Sequence, residues 1–220
     1  MTTTPHLIYL HGFTSSPRSR KAQWFANRLA DRGVTLHIPD LNVPTFEYLT
    51  LTAMLDRVAE TIRALPDGPV ALIGSSMGGT AALHFADRYR DAEATRVTQL
   101  LLMAPAMDFA GNRKTQLGEV RLNAWRDSGW LTVYHYGDVA ERRVHYGLFA
   151  DLLNYDIFSL NLSLPIRIYH GRSDASVPYE QCVQFAEPRP NVDLHLLDSD
   201  HQLLDQTDTI WHGMVELFHL

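Results

Sequence analysis

The sequence predicts a single α/β domain built on a mainly parallel sheet flanked by helices, and three observations carry that expectation. Strand-like and helix-like segments alternate along most of the 220 residues, the pattern left by strands joined through crossover helices. One such junction, Val70-Ala71-Leu72-Ile73 followed by Gly74-Ser75-Ser76-Met77-Gly78, puts a serine between glycines on a sharp strand-to-helix turn. The length also suits one domain with a sizeable buried core.

The elements follow in order. Leu7 to Leu10 reads as a short apolar strand ending at His11-Gly12. Trp24, Phe25 and Leu29 give helical spacing across Arg20 to Arg32, and Gly33 stops that helix. Ser15 and Ser16 are placed to cap its start. Thr35 to Ile38 is a second strand, cut off by Pro39-Asp40, and Glu47 to Leu65 a longer amphipathic helix. Val70 to Ser75 forms the third strand and Met77 to Arg90 the helix after it. Val97 to Met103 and Ile166 to His170 supply the fourth and fifth strands. Pro178 suits the first position of a helix reaching Ala186, where its missing N–H costs nothing. Val192 to Leu197 is the sixth strand, and Leu203 to Leu217 closes the chain as a helix.

Residues 108–161 break the alternation and read as a cap insertion within the single domain, 1–220. Gly129 to Tyr136 and Arg142 to Tyr146 pair as a hairpin around Gly137-Asp138, with a short helix at Leu148 to Leu153. Insertions of this length are usually functional or disordered, and the aromatic content favours an ordered cap. Trp125, Trp130 and Tyr134, with Phe13 and Met77, can line an apolar acyl pocket; the insertion's aromatics can equally form a small core of their own.

Composition narrows the partners. A formal net charge of −6 argues against nucleic acid, whose phosphates need a basic surface. No stretch approaches the ~20 apolar residues of a membrane span, and the N-terminal residues lack a signal peptide's pattern. A cytoplasmic location without membrane attachment is the expectation. Cys182 is the only cysteine, so no intramolecular disulfide forms, and its helical setting suggests core packing. No His-Glu-x-x-His or comparable spacing occurs, so neither a metal nor another cofactor is expected. Composition leaves the oligomeric state open.

A serine is a weak nucleophile until a base removes its proton, and the base needs an acid to orient it. Three strand-end loops offer these groups: Ser76 after the third strand, Asp174 after the fifth and His201 after the sixth. Asp198 and Asp200 compete as the acid, although chain neighbours of His201 rarely face its ring. His84, His135, His145, His170, His212 and His219 compete as the base, but none stands as His201 does after a core strand near the C-terminus. The order Ser, Asp, His is that of the α/β-hydrolase arrangement. There the oxyanion donors are backbone N–H groups, here those of Met77 and, in the His11-Gly12-Phe13-Thr14 loop, Phe13. His11 itself reads as structural.

With these residues assembled, the chain resembles α/β-hydrolase serine esterases. Tyr9-Leu10-His11-Gly12-Phe13-Thr14-Ser15-Ser16-Pro17-Arg18-Ser19 and the Gly74-Ser75-Ser76-Met77-Gly78-Gly79 turn look like the small bacterial YqiA-type esterases. His170-Gly171-Arg172-Ser173-Asp174, Val177-Pro178 and Ser199-Asp200-His201 are similar to the branch holding acyl-protein thioesterases and acyl-glucuronide esterases. The resemblance implies a sheet lacking the first strands of larger members and a triad of Ser76, Asp174 and His201. It implies a small-molecule ester or thioester substrate, cleaved through an acyl-enzyme. A carbon–carbon hydrolase or lyase on the same fold is the alternative, and a non-catalytic binding member a further one.

Overall fold

The computed structural model describes residues 4–220. Its main sheet contains β1 (His6–Leu10), β2 (Leu36–His37), β3 (Val70–Ser75), β4 (Val97–Met103), β7 (Ile166–Gly171) and β8 (Val192–Leu197). The strands lie in the order β2-β1-β3-β4-β7-β8, and every neighbouring pair is parallel. The helices are α1 (Arg20–Ala30), α2 (Leu51–Arg63), α3 (Met77–Arg88), α4 (Phe109–Ser128), α5 (Gly147–Leu152), α6 (Glu180–Ala186) and α7 (Thr207–Phe218).

Alternate residues of a strand point to opposite sides, and this sorts the core into two layers. Ile8, Leu10, Leu72, Leu100, Leu102 and Ile168 pack with α2, α3 and α6. Leu7, Tyr9, Ile73, Leu101, Met103 and Tyr169 pack with α1 and α7 on the other side. All six residues of β3 are buried, as a central strand covered on both faces must be.

Chain direction then creates a crevice. From β1 the chain goes outward to β2, and α2 carries it back to β3 on the other side of β1. The loops leaving β1 and β3 therefore diverge at their carboxyl ends, where doubly wound sheets bind ligands.

Several boundaries differ from the sequence expectation, each for a local reason. Ser19, rather than Ser15 or Ser16, caps α1 by accepting from the Ala22 N–H at 3.4 Å. The Ser16 hydroxyl instead accepts from the Arg18 N–H at 3.3 Å. Thr50 caps α2 through the Ala53 N–H at 3.1 Å, so residues 46–48 form a separate 3₁₀ turn. Pro178 lies in the turn before α6, its carbonyl accepting from the Gln181 N–H at 3.2 Å. Leu203 takes a left-handed φ of 53°, which delays α7 until Thr207.

The segment 108–161 holds α4, the antiparallel hairpin of β5 (Trp130–His135) and β6 (Ala140–His145), and α5. Helix α4 has no counterpart in the sequence expectation. Only Trp125 of its residues is buried, so no apolar stripe marks it, and Gly118 interrupts it with φ 69°. The indole N–H of Trp125 donates to the Val144 carbonyl at 3.1 Å, and its ring meets Tyr146 and Phe149 edge-on. Trp125→Ala removes that anchor. A loss of about 3–5 kcal/mol is expected in urea unfolding, the usual range for a buried tryptophan. A loss below about 1 kcal/mol would show that the insertion is not held through this ring.

Candidate active site

Ser76 sits at φ 54° and ψ −120°, a conformation few residues other than glycine adopt. Such a backbone costs about 1–3 kcal/mol and persists only where its surroundings enforce it. Here the Ser76 N–H donates to Met103 O at 2.9 Å, while its carbonyl accepts from Gly79 N at 2.8 Å and Ala106 N at 3.2 Å. Close packing demands the flanking glycine. A Cβ on Gly74 would lie 2.6 Å from the Gly78 carbonyl oxygen and from Gly79 Cα.

The hydroxyl so presented meets His201, whose Nε2 lies 3.2 Å from Ser76 Oγ. The other ring nitrogen, Nδ1, donates to Asp174 Oδ2 at 2.7 Å. That hydrogen bond fixes the tautomer, leaving Nε2 as an acceptor facing the hydroxyl proton. The site residues expected from three separate loops thus meet at one place.

The side chain of Asp174 is fully buried, and four donors surround its carboxylate. Oδ1 accepts from the Ser176 and Val177 N–H groups, both at 2.8 Å. Oδ2 accepts from His201 and from His170 Nε2 at 3.0 Å. Burial pushes the carboxyl's pKa up, but the hydrogen bonds from His170, His201 and Val177 N–H outweigh it and hold it well below the usual carboxylate range. His170, in the sequence only a rival base, is in the structure a second donor to the acid. Its Nδ1 accepts from the buried Cys182 thiol at 3.0 Å, so the lone cysteine does pack in the core but also bonds this ring. Lys21, also buried, lies near the same acids; burial pulls its ammonium down to about 8, although Asp200 and Asp174 oppose the change.

The rival groups are engaged elsewhere. Asp200 caps its own turn, accepting from the Gln202 N–H at 2.8 Å and the Leu203 N–H at 3.2 Å, and Asp198 is exposed. His84 meets Tyr155 edge-on, and burial pushes its pKa down to about 4. His11 ties the loop after β1 together: its Nδ1 donates to Gly12 O and its Nε2 accepts from Leu41 N, each at 3.0 Å.

That loop runs against the serine. A Cβ on Gly12 would lie 3.1 Å from Ser76 Cβ, so the glycine permits the approach. Neither the Phe13 nor the Met77 N–H donates to an acceptor among the described residues. Both are free to serve an incoming oxygen, and Met77 also opens α3, whose dipole favours negative charge.

A family model matches residues 6–218, nearly the entire chain. The chain belongs to the uncharacterised protein family UPF0227. Among curated relatives of this family member, the mitochondrial palmitoyl-protein thioesterase ABHD10 of Pongo abelii is 25% identical over 216 residues, covering 93% of this chain and 69% of its own. Two solved structures share the fold. Alpha/beta hydrolase domain-containing protein 10 from mouse matches with a TM-score of 0.81 at 21% identity, covering 100% of this chain and 91% of that one. Est1E from Butyrivibrio proteoclasticus, solved with ferulic acid bound, matches with a TM-score of 0.79 at 22% identity, covering 98% and 90%. The α/β-hydrolase resemblance drawn from the sequence therefore holds.

Of the two places the sequence allows for the insertion's aromatics, an acyl pocket and a small core of their own, Trp125 takes the second. Trp125 is core of the insertion, Trp130 packs against Tyr48 and His145, and Tyr134 is 47% exposed beside Tyr136. The rings that Phe13 meets are those of Phe46 and Phe109, and none of these three. A cleft of about 340 Å³ lies instead along α3, bounded by Thr80, Met107, Phe109, Leu152, Ile157 and Phe158 among others. Phe109 joins it to the loop after β1 by meeting Phe13 edge-on at 5.5 Å. Among the described residues, no helix is long and apolar enough to cross a membrane.

The buried acid generates a pH signature. Its folded-state pKa lies below the ordinary value near 3.8, so its stabilising contribution is complete above that value and lost as pH falls. The unfolding free-energy gap between the native protein and Asp174→Asn should hold constant from pH 7 to about pH 5 and narrow below about pH 4. An equal gap at pH 3 and pH 7 would contradict the hydrogen-bonding account.

Proposed function

We propose that the protein is a serine hydrolase cleaving carboxylic esters or thioesters through an acyl-enzyme. The observation that carries this reading is the unbroken contact from Ser76 Oγ through the His201 ring to the Asp174 carboxylate, 3.2 Å and then 2.7 Å. The thioesterase and esterase names of its relatives support the same chemistry.

In the first half-reaction Ser76 Oγ attacks the carbonyl carbon and its proton passes to His201 Nε2. The Phe13 and Met77 N–H groups receive the oxyanion; one such donor is worth ~10²–10³ in turnover in comparable sites. The tetrahedral species collapses, and His201 gives the proton to the departing alkoxide or thiolate. Water then attacks the acyl-enzyme, loses a proton to His201, and Ser76 leaves as the restored hydroxyl. Throughout, Asp174 remains an anion that holds the ring and stabilises its cation. We place the acyl chain in the cleft along α3, whose Met107, Phe109, Leu152, Ile157 and Phe158 are apolar.

Hydrolysis of p-nitrophenyl esters of graded acyl length, with labelling by a fluorophosphonate, tests the proposal. Ser76→Ala is expected to lose at least about 10³-fold in kcat/KM and all labelling. Ser75→Ala should keep most of both, because Ser75 closes β3 as a buried residue. Labelling that survives Ser76→Ala and is lost in Ser75→Ala would move the nucleophile by one residue. No turnover of any ester by a well-folded wild-type protein would end the esterase reading.

A further inference from the structure

Arg113, on α4, has no carboxylate within ion-pair distance among the described residues and lies against Phe13 of the loop after β1. Its guanidinium carbon lies 5.5 Å from the Phe13 ring centre and 5.2 Å from that of Phe109. Two aromatic faces thus hold the cation on one side of the loop that passes against Ser76. Among the described residues no acceptor lies within hydrogen-bond distance of it. The contrast with the other half-buried arginines is sharp. Arg28 and Arg57 each meet a carboxylate, Arg96 and Arg189 backbone carbonyls, and Arg142 and Arg167 two carboxylates each.

A half-buried guanidinium has up to five N–H donors, and leaving them unsatisfied costs free energy. Burial accordingly lowers its pKa. Two other features make the missing partner a ligand rather than a neighbour. The rings pin the side chain beside Phe13, whose N–H is the oxyanion donor in the reading above. Phe109 also lines the cleft along α3, so the cation stands where the cleft reaches the catalytic loop. In a chain of net charge −6, an anionic substrate is repelled by the general field, and a local uncompensated cation is what would admit it.

We propose that Arg113 binds an anionic substituent, a carboxylate or phosphate, of the ester or thioester cleaved at Ser76. This rests on the serine hydrolase reading and narrows its substrate class. The fork of the guanidinium matches such groups with two parallel hydrogen bonds, which lysine cannot reproduce.

The test compares pairs of substrates with and without an anionic group. For an anion on the acyl side the pair is mono-p-nitrophenyl glutarate and p-nitrophenyl valerate. For an anion on the leaving group it is butyryl-4′-phosphopantetheine and butyryl-pantetheine, which differ by one phosphate. The wild-type protein should prefer the charged member of at least one pair by about tenfold or more in kcat/KM. Arg113→Met should lower that charged-to-neutral ratio by about 10–100-fold, mainly through KM, as loss of hydrogen bonds to a charged group predicts. Arg113→Lys should restore part of it.

No preference for charge in either pair, measured on the wild-type protein, overturns the proposal without reliance on any variant. So does a ratio that Arg113→Met changes by less than about threefold in both pairs. The two readings fail differently. Neutral esters turned over without charge preference leave the hydrolase standing and remove Arg113; no turnover of either member, with Ser76 unlabelled, removes both.

Discussion

A carboxylate stripped of water is expensive to keep, and the arrangement of this protein's site follows from how Asp174 is kept. The group has no accessible surface and no lysine or arginine within ion-pair distance among the described residues. Its charge is instead distributed over two backbone N–H groups and two imidazoles. The backbone donors belong to the turn that leads into α6 and hold the acid rigid relative to that helix. His170, fixed by β7 and by the Cys182 thiol, takes one lobe of Oδ2. What remains of Oδ2 is directed at His201, which can turn only so far as that bond allows. The imidazole's orientation toward Ser76 is therefore inherited from a carboxylate on another loop, and ultimately from the end of β7.

The serine's half of the geometry comes from the sheet as well. The strained backbone of Ser76 is a cost that an isolated turn would relax. It is enforced by β4, which receives its N–H at Met103, and by the Ala106 N–H that returns to its carbonyl. The same strand order that opens the crevice between β1 and β3 brings Gly12 against Ser76, since the two strands are hydrogen-bonded neighbours in register from His6–Val70 to Leu10–Gly74. The parallel sheet thus brings Ser76, the loop after β1 and His201 together although they lie far apart in sequence.

What could be read from the chain divides along physical lines. The strands were legible because buried parallel strands are continuous apolar runs, and Val70 to Ser75 and Val97 to Met103 end where the sequence placed them. The three loop residues were legible because chemistry demanded a serine, an acid and a base at strand ends, which left few choices. The polar helix α4 was not, since a helix that buries one residue carries no periodic signal. Nor could the aromatics of the insertion be sorted: composition records that Trp125 is apolar, while only packing records that it faces Val144 and Phe149. His170 and Arg113 lay beyond reach for a related reason. Their significance is set by what surrounds a side chain, a second acceptor for one and no acceptor for the other.

The insertion is more than a cover. At the tip of its hairpin the Tyr136 N–H donates to Thr14 O at 2.9 Å, and Thr14 itself holds a left-handed φ of 56°. His135 packs edge-on against Phe46, which in turn stacks on Phe13. One end of the insertion thus grips the loop after β1, while its other end, through Phe109 and Arg113, packs against Phe13 of that loop. Movement of the hairpin would move Phe13 relative to Ser76, so under the proposed mechanism the insertion also holds one of the donors to the reacting oxygen. If Ser76 reacts as proposed, variation in the insertion is coupled to the rate of that step as well as to recognition, even though none of its residues belongs to the contact running from Ser76 to Asp174.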